Sequence, residues 1–131
     1  MKKQFLLLLI LSLFKASPVL GGHATPTSGD YLKYCQESIK VYEGKSVDIS
    51  TANLCIGFVD VALGMHETFK FLGQGNPFYC IPEHSISSFD IIPIWVEYLE
   101  NNPQILDKSP LITFILSMSK TFPCTEPKTG E

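Results

Sequence analysis

The chain has 131 residues, with 13 acidic side chains against 10 lysines, three histidines and no arginine. That balance gives no basic footprint for nucleic acid or an anionic membrane surface, and the length suits a single domain. Four cysteines in so short a chain direct attention to a small stapled fold.

The N-terminus has the form of an export signal. Lys2 and Lys3 precede the apolar run "FLLLLILSLF" (5–14), and "KASPVLGGHA" (15–24) supplies small residues for a peptidase. The apolar run falls well short of the roughly 20 residues needed to span a bilayer, so cleavage after Gly21 or Ala24 is expected rather than anchoring. No cysteine lies beside either site, which argues against a lipoprotein. Removing residues 1–24 takes away Lys2, Lys3 and Lys15. It leaves 7 lysines against 13 acidic residues, a net charge near −6. The mature part divides into a helical domain, 25–124, and a polar tail, 125–131. An exported chain meets an oxidising compartment, where four cysteines read as two disulfides.

The first helix is expected in "SGDYLKYCQESIKVYEG", capped by Ser28 or Asp30 and stopped by Gly44. Leu32, Cys35, Ile39 and Tyr42 recur there at helical spacing. A longer helix follows in "DISTANLCIGFVDVALGMHETFKFLG". Asp48, Ser50 or Thr51 caps its start, Gly73 ends it, and Leu54, Phe58, Val61, Met65, Phe69 and Leu72 form a stripe read as core. "GQGNPFYCIPEHS" (73–85) is a proline- and glycine-marked loop. A third helix is expected from Ser87 to Asn101 with Phe89, Ile92, Val96 and Leu99 on one face. Pro93 either kinks it or delays its start to about Ile92. Asn102-Pro103 and Ser109-Pro110 are favourable helix openings, predicting a short turn over 103–108 and a last helix from 110 to about 121. Leu111, Ile115, Met118 and Phe122 mark the last helix's apolar stripe. No strand alternation stands out. The expected fold is all-α: a single-domain bundle of four to five helices stapled by two disulfides.

Cys35 and Cys55 lie one on each arm of the first helical hairpin, which makes them natural partners and leaves Cys80 for Cys124. Spacing alone permits two other connectivities.

Chemistry is poorly represented. A catalytic thiol must stay reduced beside an oriented base, and although His84 follows Cys80 by four residues, all four cysteines can pair. "MHETF" (65–69) opens like a zinc helix, but Phe69 stands where the second histidine would be, so no metal site is expected. Glu97 and Glu100 are spaced as solvent-face glutamates. The chain is therefore read as a binding protein without cofactor or catalytic residues, not an enzyme.

"ANLCIGF", "FYCIPE", "VEYLENNPQIL" and a closing "KTFPC" occur in this order. The arrangement resembles the Rap/Tai family of type VI secretion amidase immunity proteins, over about residues 30–124. Cys55 and Gly57 match the helix motif, Cys80 and Pro82 the loop motif, and Pro123 and Cys124 the closing one. The resemblance implies a periplasmic helical protein, often a homodimer, that binds a cysteine–histidine peptidoglycan amidase and plugs its active-site groove. Sibling intoxication is thereby prevented. A toxin-blocking role needs an exposed, rigid projection, and 73–85 is the segment a disulfide at Cys80 would pin. Gln74, Asn76, Glu83 and His84 are its polar contact candidates, while Phe78 and Tyr79 are either scaffold anchors or hot-spot side chains. The alternative of another class is a periplasmic stress chaperone or small-ligand binder on the same scaffold.

Overall fold

A computed structural model describes residues 24–73, 77–82 and 86–124. The described residues form four α-helices: α1 (Ser28–Tyr42), α2 (Ile49–Phe71), α3 (Ser88–Glu100) and α4 (Pro110–Thr121). A single 3₁₀ turn, Pro103–Ile105, lies between the last two. No strand occurs among the described residues.

The first three helices begin where a side chain can take up free amides of the first turn, and α4 begins at Pro110, whose missing N–H needs no partner. At α1 that residue is Thr27, one position before the expected caps. The Thr27 backbone N–H donates to Asp30 at 2.9 Å, and the Asp30 N–H donates back to the Thr27 hydroxyl. Asp30 therefore completes the box from inside the helix instead of opening it. Asp48 caps α2 by accepting from the Ser50 amide. Ser87 starts α3, its amide and hydroxyl both donating to Asp90. Gly44 and Gly73, at φ +70° and +63°, take the left-handed conformation that closes α1 and α2. Pro93 lies in the second turn of α3, and the helix nonetheless runs from Ser88 through it, at the loss of the bond its missing N–H would give the Phe89 carbonyl.

α1 and α2 pack as a hairpin bonded through Cys35–Cys55, with a Cα separation of 5.0 Å and both residues fully buried. α3 packs against both arms of this hairpin, and α4 packs against α3. At the centre Trp95 lies between Phe58, stacked at 5.2 Å, and Phe114, edge-on at 5.4 Å. Tyr31 closes the cluster from α1. Ile91, Ile92, Leu99, Met118 and Val59 fill the space around it.

The inner face of α2 differs from the expected one. Ala52, Cys55, Val59 and Ala62 are buried, whereas Leu54 and Val61 are 52% and 62% exposed. Met65, Phe69 and Leu72 are also exposed, and Phe58 is only half-buried. The helix is apolar around most of its girth, so the covalent bond at Cys55 decides which side faces α1. Small residues on that side let the two helices approach closely. By length and composition α2 would suffice to cross a bilayer, but the disulfide fixes it in the bundle.

Polar residues join the ends of the chain. The Ser28 and Gly29 amides, left free at the start of α1, donate to the carbonyls of Lys108 (2.9 Å) and Leu106 (2.8 Å). The Ser28 hydroxyl also donates to Lys108 O and shares a 2.8 Å bond with Thr113 Oγ1. Thr113 in turn accepts from Trp95 Nε1 at 3.3 Å. All three side chains are fully buried. A buried hydroxyl without partners is costly, so this connected set ties α1 and α4 to the central indole.

Candidate functional site

The second disulfide, Cys80–Cys124, spans 44 positions of sequence with a Cα separation of 4.9 Å. It fastens the segment 77–82 to the end of α4. Two hydrogen bonds act with it: Cys80 N–H donates to the Phe122 carbonyl at 2.8 Å, and the Ser119 hydroxyl shares its one proton between the carbonyls of Phe78 (2.8 Å) and Ile115 (2.7 Å). The segment is thus held at backbone and side chain along its length.

Phe78 and Tyr79 part company there. Tyr79 is 3% exposed and belongs to the core, its ring stacked on His66 at 4.1 Å and edge-on to Phe114 at 6.4 Å. Phe78 is 72% exposed. The core takes up Tyr79, whereas its neighbour Phe78 stays largely in solvent. Of the polar candidates, Gln74, Asn76, Glu83 and His84 all lie outside the described residues. Glu97 and Glu100 are exposed on α3, and Glu100 accepts from Gln36 at 2.9 Å.

Between α2, the 77–79 segment and α4 runs an open groove of about 580 Å³. Met65 and Phe69 come from α2, Pro77 and Phe78 from the pinned segment, Leu111 and Ile115 from α4. Ala62, His66, Tyr79 and Phe114 also line it, and Lys70 is the only lysine, arginine or carboxylate among the described lining residues. Met65 and Phe69 belong to the stripe expected inside the core. Their apolar character was visible, but their orientation depends on a segment that the chain brings back through Cys124.

Two titratable groups are shifted by this environment. Burial holds the His66 pKa below its ordinary 6.5; Lys70 adds to the depression and Glu67 opposes it. Burial, with a smaller contribution from the Glu67 charge, pushes Tyr79 up to about 12. At neutral pH burial therefore keeps the imidazole and the phenol that line the groove neutral.

The His66 shift has a pH consequence. A histidine whose folded pKa is depressed binds protons more readily when unfolded, so its contribution is present above about pH 6.5 and lost as pH falls through the lowered value. Asp30, Asp48 and Asp90 are held below 3.8, mainly by cap hydrogen bonds from Thr27, Thr51 and Ser87 respectively, and stay ionised over that range. Thermal midpoints recorded from pH 7.5 to 5 should fall, and His66→Gln should flatten the decline. An unchanged slope in the variant would remove His66 as its source.

The chain matches no protein-family model, no curated protein and no solved structure.

Proposed function

We propose that this is an exported periplasmic immunity protein that binds and inhibits a type VI secretion peptidoglycan amidase, protecting the producing cell and its siblings. Phe78 carries this reading: a large aromatic side chain, 72% exposed, on a segment fixed by a disulfide and two hydrogen bonds. An isolated exposed phenylalanine is ordinary, but one on a pre-ordered projection reaches a partner's cleft with little entropy left to lose. The ordered motifs of "Sequence analysis" supply the partner class, and two disulfides are the chemistry of an oxidising, exported location.

The test is titration of the mature protein into a purified cysteine–histidine amidase from the same genome, following peptidoglycan hydrolysis. Inhibition should be complete near one site per enzyme. Phe78→Ala should weaken it by about 30-fold, as expected of a hot-spot aromatic. Full potency in Phe78→Ala would move the inhibitory contact elsewhere. No inhibition by the folded, oxidised wild type would discard the immunity reading.

The expected homodimer is assigned to the outer face of α2, where Leu54, Gly57, Val61 and Gly64 are exposed in successive turns. A Cβ added at Gly57 or Gly64 would meet nothing within 4 Å inside the protomer, which leaves room for a second helix to approach. Sedimentation should give a dimer for the wild type and a monomer for Val61→Glu. A wild-type monomer at micromolar concentration would remove this assignment.

A further inference from the structure

The groove beside Tyr79 has a composition that the inhibitory role does not require. Its walls are long apolar side chains, and its volume of about 580 Å³ falls within the roughly 300–1,000 Å³ typical of small-molecule sites. Its charge is concentrated: Lys70, exposed, is the only lysine, arginine or carboxylate among the described residues that line it. Lys70 forms no ion pair with another described residue. Glu67, one turn earlier on α2, is the nearby acid but does not line the groove.

We infer that this groove binds a single-chain acyl carboxylate, its alkyl tail along Met65, Phe69, Leu111 and Ile115 and its head group at Lys70. The tail is accounted for by apolar burial, at about 0.8 kcal/mol per CH₂ removed from water. The sign of the head group follows from the lysine, since a cationic amphiphile would place like charges together. The open side suits a linear chain, which can enter lengthwise without the bundle unfolding. This assignment does not depend on the immunity reading, although Phe78 lines the groove as well: the head-group preference is read at Lys70 and the amidase contact at Phe78, so each is tested without the other.

Calorimetric titration of the mature, oxidised protein with dodecanoate, below its micelle concentration, tests the proposal. Dodecyltrimethylammonium serves as the comparator of equal chain length. Dodecanoate should bind one per chain and about tenfold more tightly than the ammonium. Lys70→Glu, a substitution at an exposed position, should abolish or reverse that preference. Leu111→Trp should weaken both ligands by narrowing the groove. Circular dichroism on each variant separates loss of binding from loss of fold. Equal affinity for both head groups, a preference unchanged in Lys70→Glu, or no binding by the folded wild type would each overturn the proposal. In the last case, an amidase that still protects His66 and Met65 from chemical modification would identify the groove as a protein-docking surface instead.

Discussion

Replacing Cys80 and Cys124 with serine should lower the unfolding free energy by about 4 kcal/mol, the chain-entropy value for a closure of 44 residues. The same estimate for Cys35–Cys55, 20 positions apart, is about 3 kcal/mol. The two bridges differ more in accessibility than in entropy. Cys80 and Cys124 are exposed, whereas Cys35 and Cys55 are sealed in the core. A mild reductant should therefore open the outer bridge first, and alkylation followed by mass spectrometry should label Cys80 and Cys124 in molecules that keep Cys35–Cys55 intact. That intermediate should retain most of its helix content while losing the rigidity of 77–82, so the proposed amidase inhibition and the proposed acyl binding should both weaken. Simultaneous labelling of all four cysteines would mean that α4 and the hairpin open as one unit. Urea midpoints of the serine double variant complete the test; a loss below about 1 kcal/mol would show that the outer bridge adds little to stability.

The second large effect is expected at the centre of the bundle. Trp95 is wholly buried, touches aromatic rings from α1, α2 and α4, and donates to Thr113. Trp95→Ala should cost about 3–5 kcal/mol, from lost apolar transfer and the cavity left behind. Small domains have about 5–15 kcal/mol in all, so this variant should be close to unfolding at ambient temperature. Trp95→Phe keeps an aromatic ring against Phe114 but leaves Thr113 without the indole N–H. It should cost less, and denaturant titration should place it between wild type and alanine. Near-equal losses for the two variants would assign the effect to the hydrogen bond rather than to packing.

The parts of this structure legible in the sequence are those set by local chemistry. Asp48, Asn102-Pro103 and Ser109-Pro110 mark helix starts because they satisfy or dispense with free amides within one turn. Gly44 and Gly73 mark the ends because closing a helix favours a positive φ. Thr27 was missed by one residue, since Asp30 has the same capping chemistry and fills the reciprocal position. The rotation of α2 could not be read in this way. A helix apolar on nearly every side has several equally good stripes, and periodicity favours the one with the largest side chains. Burial chose small ones, because Cys55 ties that face to α1. Thr113 and Ser117 escaped for the opposite reason: they are polar and lie on the buried face of α4 between apolar residues. The groove required knowing that Cys124 holds 77–82 at the end of α4, beside α2, where Tyr79 meets His66 across 13 positions of sequence.

The order of the bridges along the chain bears on how the molecule matures. Cysteines one and two are joined, and so are three and four, with no crossing. A polypeptide threaded N-terminus first into an oxidising compartment presents Cys35 and Cys55 while much of the chain is still on the other side. A dithiol oxidase that joins each thiol to the next one to emerge would therefore produce the native connectivity without any reshuffling. The second closure would wait for Cys124, which follows Cys80 by 44 positions. Under the proposed export, segment 77–82 would reach its final shape only after Cys124 had crossed, and so only in the oxidising compartment.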